Sequence, residues 1–192
     1  DSPAASIDAF MFDFGNEDNP GHRRWLLFPP FRGLGYGWFD GGPGGEFENL
    51  TASCVITFWG YSTQEQEQAA RTEKPIAYPP PGAFPVALAS ITNLVKDFRV
   101  PWSISWQGAS FDNATLTLTD ANTTQPIPLE RPLTPLNDNV GATAAGWLPQ
   151  PLAVLGDRWS VRIEGVALDG APQPPIVYDV AFVDCGLANL FD

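Results

Sequence analysis

Between Pro85 and Asp184, six short stretches alternate apolar with polar residues, turn residues separate them, and no helical period runs through them. Those observations predict a mainly β chain that ends in an immunoglobulin-like antiparallel β-sandwich over residues 83–192. A smaller N-terminal part, residues 1–61, precedes it, and the polar, then proline-rich stretch 62–82 reads as a linker between two domains.

Taken in order, "ASIDAFMFDF" (5–14) places aromatics at 10, 12 and 14 and reads as a short helix followed by an extended segment. Asn19-Pro20-Gly21 is a strong breaker, so "HRRWLLF" after it reads as one to two helical turns, stopped by Pro29-Pro30. "GLGYGWF" (33–39) alternates glycine with larger residues and predicts a strand on which something packs closely. "TASCVITFWGY" (51–61) carries β-branched and aromatic residues on both faces. It is expected to pair with "GLGYGWF" as an antiparallel hairpin around a glycine-rich connection.

The predicted sandwich strands are "PVALASI", "PWSISWQG", "ATLTLTD", "QPIPLER", "RWSVRIEGV" and "IVYDVAFVD". In them Trp102, Ile104 and Trp106 alternate with Ser103 and Ser105, and Trp159, Val161 and Ile163 alternate with Ser160, Arg162 and Glu164. One face is expected in the core and the other in water. "TPLNDNVGATAAGWLPQP" (134–151) is the longest stretch without such a pattern and reads as a loop where a binding site would be sought.

Ten Lys and Arg face 22 Asp and Glu, a formal net charge of -12, which repels phosphate backbones and excludes nucleic acid as a partner. No apolar run approaches the roughly 18 residues of a membrane span, so no transmembrane segment is expected. Three Asn-X-Thr motifs, at Asn49, Asn113 and Asn122, are glycosylation candidates and suit a secreted chain. Cys54 and Cys185 lie in or after strand-like runs where a disulfide could join early and late parts of the chain. The alternative is two buried free thiols.

Gly21-His22-Arg23-Arg24-Trp25-Leu26-Leu27, followed by proline and then Gly33-Leu34-Gly35-Tyr36-Gly37, resembles the "GHRRW(I/L)L" segment of bacterial-type members of the CAP superfamily (cysteine-rich secretory, antigen 5 and pathogenesis-related proteins). The preceding "FMFDFGNEDNP" is similar to that family's approach to the motif. The resemblance covers about residues 5–60 and implies the C-terminal half of an α-β-α CAP sandwich, here followed by a β-sandwich as in some secreted multidomain relatives.

In that family two histidines and two acidic residues line a cavity that binds a divalent cation. Only His22 carries over, so the resemblance implies a cation site that this segment cannot complete alone, and no certain cofactor follows. The bland alternative for His22 is a hydrogen-bonded element of a buried turn. Arg23 and Arg24 are expected to pair with carboxylates of this acidic chain. Glu17 and Asp18 are not expected to act as ligands.

A half-domain would leave the sheet face of Trp38, Val55, Ile56, Phe58 and Trp59 open. A protein partner or an upstream fragment is therefore expected to cover the Trp38/Phe58/Trp59 face, with Asp1 as a terminus made by cleavage. No second histidine, phosphate loop or paired-carboxylate spacing supplies a catalytic constellation. The expected function is that of a secreted, non-catalytic CAP-type protein in extracellular binding, adhesion or assembly, with carbohydrate or protein as ligand. The alternatives are a divalent-metal-dependent hydrolase or protease completed by the missing half, and a structural subunit of an extracellular filament or surface layer.

Overall fold

The computed structural model describes residues 3–13, 15–16, 18–28, 35–42, 44, 51–56, 71, 74–93, 96–136 and 141–186. Two short helices, α1 (Pro3–Phe12) and α2 (Gly21–Leu26), lead into the strands β1 (Gly35–Asp40) and β2 (Thr51–Ile56). Then come β3 (Ile76–Tyr78), β4 (Gly82–Pro85), a 3-10 turn at Val86–Leu88, β5 (Ser90–Asn93), β6 (Lys96–Arg99), β7 (Trp102–Ser105) and β8 (Ala109–Ser110). The chain continues through β9 (Thr115–Asp120), β10 (Leu129–Pro135), β11 (Ala144–Pro149), β12 (Arg158–Glu164), β13 (Ala167–Leu168), β14 (Ala171–Pro172) and β15 (Ile176–Val183). The fold is mainly β, as its alternation predicts.

Two four-stranded sheets form the body, in the orders β10-β11-β7-β3 and β4-β15-β12-β9. Every pairing in them is antiparallel except β4 with β15, which is parallel. Prolines 79–81 cannot donate to a ladder, so the chain leaves the first sheet after β3 and joins the second as β4. The linker expected over 62–82 therefore stops short of its C-terminal end, because Ile76, Ala77 and Tyr78 pair with Ser105, Ile104 and Ser103. Residues 62–70 lie outside the described residues.

The sheets are pinned by aromatics. Trp102 stacks on Trp159 across the sandwich at 5.6 Å and 25°. Trp147 and Phe182 flank Trp102 at 6.0 and 6.1 Å. Such contacts add about 0.5–1.5 kcal/mol each beyond burial. β12 and β15 show the predicted alternation, with Trp159, Val161, Ile163, Tyr178, Val180 and Phe182 buried. The Tyr178 hydroxyl ends in this core without a partner, and burial holds its phenol above the ordinary range.

Two expectations for the first sheet are overturned. Ser103 and Ser105 are buried, not wet. Residues 144–149, expected in a loop, form the inner strand β11, of which only Leu148 is not buried. The registers explain both. Ser103, Ser105, Ala144 and Gly146 share the face turned away from the aromatic core. The N-terminal helices come down on this sheet: Phe12 joins the common core, and the Arg23 guanidinium sits 4.4 Å from the centre of the Tyr78 ring. Arg24 Nη2 donates to the Ala142 carbonyl at 2.9 Å, and Arg131 pairs with Asp18. The helices α1 and α2 are thus packed onto the sandwich, whereas a separate domain ending at residue 61 was expected.

The predicted hairpin is present, with Gly37 opposite Cys54 and Trp38 opposite Ser53. Period-2 alternation then divides its residues. The Tyr36 hydroxyl reaches Ser6 Oγ at 2.7 Å and donates to the Pro3 carbonyl, so Tyr36, Trp38, Ser53 and Val55 face α1. Phe39, Ala52, Cys54 and Ile56 occupy the opposite, open face and are all exposed. The apolar face expected to carry Trp38 and Val55 is therefore corrected: both are half-buried on the inner side. Phe58 and Trp59 lie outside the described residues.

Candidate functional site

His22 is the chain's single histidine, and its surroundings are built by the end of α1 and the start of α2. Asp13 ends α1 in a left-handed conformation, φ 60°, while its N–H still donates to the Ala9 carbonyl at 2.8 Å. A tight turn follows, held by Asn16 N–H to the Asp13 carbonyl and Asn19 N–H to the Asn16 carbonyl. This turn brings the Asp13 carboxylate under the first residues of α2.

That carboxylate is fully covered, its side chain 0% exposed. Its Oδ2 accepts the His22 backbone N–H at 2.8 Å, and its Oδ1 accepts Asn16 Nδ2 at 2.9 Å and meets His22 Nδ1 at 2.6 Å. The imidazole itself is 56% exposed and tilts against Phe10 at 5.4 Å. A buried carboxylate thus fixes one ring nitrogen, and Nε2 is left for whatever approaches.

Beside this ring lies a cleft of about 350 Å³, lined by Phe10, His22, Trp25, Leu26, Ser53, Cys54 and Val55. It opens between the two helices and the inner side of the β1–β2 ribbon. One residue further along α2, Arg23 turns the other way and is fully buried. Burial draws its guanidinium down to about 10, opposed by Tyr78 and Asp13, and pushes the Tyr78 phenol up to about 12. Consecutive residues His22 and Arg23 therefore divide the work: one faces the cleft, the other anchors the helix.

The cation site implied for His22 is not completed. Among the described residues no group of three or more His, Cys, Asp and Glu side chains is placed to hold a metal ion, whereas zinc takes three or four protein ligands. Asp13 is covered and already holds three donors, and the exposed Asp18 pairs with Arg131. Glu17 lies outside the described residues. These residues do not fit a metal centre.

Cys54 and Cys185 are free and exposed in this structure, which corrects the expectation of buried thiols. Cys54 points to the open ribbon face, where a Cβ on Gly37 would come within 2.9 Å of its Sγ, and Cys185 follows the end of β15. Asn113 and Asn122 both sit exposed in turns. The second turn is organised by Asp120, which accepts the Asn122 and Thr123 N–H groups at 2.8 Å. Those bonds, chiefly the one from Thr123, hold its carboxyl below the ordinary range. Asn49 lies outside the described residues.

Asp13, the residue that gives His22 its orientation, has only a weak sequence signal, an acid at a helix end just before a Pro-Gly-His start. No protein-family model, curated protein or solved structure matches this chain.

Proposed function

We propose that this chain is a non-catalytic, secreted protein of CAP type that works in extracellular binding and assembly. The observation that carries the reading is the pairing of two apolar surfaces on one small ribbon that lies against the N-terminal helices: the cleft inside it and the open face outside it. Phe39 and Ile56 are 49% and 47% exposed on that open face, which no charged side chain of β1 or β2 shares.

The sandwich supplies the platform. Its strand order, with β3 and β4 as a divided first strand, agrees with an immunoglobulin-like Greek key, and Trp102 against Trp159 joins the two strands that a disulfide joins in antibody domains. The exposed Asn113 and Asn122 turns and the acidic composition suit an extracellular setting. No helix among the described residues is long and apolar enough to cross a membrane.

Native mass spectrometry of the protein from its natural source, before and after reduction, tests the proposal. A non-covalently bound second polypeptide is expected, and a Phe39→Asp/Ile56→Asp variant should lose at least nine tenths of it while keeping its unfolding temperature. A wild-type chain that carries no other polypeptide would overturn the reading.

A further inference from the structure

The inner cleft has a chemistry distinct from that of the open face. Its volume of about 350 Å³ falls at the small end of pockets that enclose organic ligands, roughly 300–1,000 Å³. Among the described residues, Phe10, Trp25, Leu26 and Val55 make most of it apolar, and the polar side chains on the cleft side are those of His22 and Ser53, the Cys54 thiol pointing to the other face of the ribbon.

The Asp13 carboxylate decides what His22 offers to the cleft. It receives the His22 backbone N–H and an Asn16 amide N–H, and an ionised carboxylate has only lone pairs to give. The 2.6 Å contact at Nδ1 therefore requires the proton on Nδ1. In the neutral ring Nε2 is then an acceptor, and the group that satisfies it must be a donor.

We infer that the cleft binds a neutral phenol or alcohol, its apolar body against Phe10 and Trp25 and its hydroxyl donating to His22 Nε2. This assignment rests on the cleft being a binding site, as proposed above, and adds the ligand's class. A carboxylate would set lone pair against lone pair, on a chain with a net charge of -12. An ammonium group would shed its hydration into a lining that, among the described residues, offers no carboxylate, since the Asp13 side chain is fully covered.

Calorimetric and Trp-fluorescence titration of the full chain with p-cresol, toluene, p-toluate and benzylammonium reads the assignment. p-Cresol should bind at least tenfold tighter than the other three. His22→Phe should remove that preference, so that p-cresol and toluene bind alike, and Trp25→Ala should weaken p-cresol and toluene together. Equal binding of p-cresol and toluene, tighter binding of p-toluate or benzylammonium, or an unchanged preference in His22→Phe would overturn it. The polypeptide on the open ribbon face is read independently by mass, so failure here leaves that reading standing.

Discussion

Replacing Trp102 with alanine is expected to cost the sandwich about 4 kcal/mol, the middle of the range for large aromatic truncations in cores. Trp102 is 2% exposed and touches three other aromatics: Trp159 and Phe182 on the opposite sheet and Trp147 on the neighbouring strand. No single neighbour can collapse into the space, because each is held by its own strand ladder. The residue also stands where the fold has no covalent link between sheets, both described cysteines being free. Since small domains have about 5–15 kcal/mol in all, the variant should unfold at much lower urea, and Trp102→Phe should recover part of the difference. A shift equivalent to less than about 1 kcal/mol would show that the aromatic stack is not what holds the sheets together.

Arg23→Ala should have the next largest effect, and a different one. Arg23 is 0% exposed, lies over the Tyr78 ring and donates to the Met11 carbonyl at 3.4 Å, so it ties both helices to the first strand of the sandwich. Its truncation removes a buried cation–π contact and opens a cavity beside the Tyr78 ring, together about 2–4 kcal/mol. The loss should be local. Limited proteolysis should release the helices while the sandwich remains resistant. Arg23→Met, which fills the space without a charge, should be the milder variant. If both variants kept the helices as protected as wild type, the anchoring role of Arg23 would be refuted.

Much of this was legible where burial is one-sided. β12 and β15 have one face in the core, so Trp159-Val161-Ile163 and Tyr178-Val180-Phe182 announce themselves by alternation. The β1–β2 hairpin was legible because glycines and large residues alternate along one strand. β11 was not, since Ala144 and Gly146 lie on a covered face, Gly146 against the Leu136 side chain, and small residues under a cover carry no pattern of their own. β3 was hidden by its three residues and the prolines after them. At the site, the position of His22 on a short helix could be read, but its orientation could not. Asp13 acts through a left-handed turn nine residues upstream, which no periodicity marks.

Everything at the site turns on Asp13 holding His22 through Nδ1, which leaves Nε2 to a ligand. Because the chain has one histidine, a long-range 1H–15N correlation spectrum reports that ring alone. The Nδ1 proton should be present and slow to exchange, and this signature should be lost in Asp13→Asn. A ring protonated at Nε2 alone, or one averaging between tautomers as in an unfolded peptide, would contradict it.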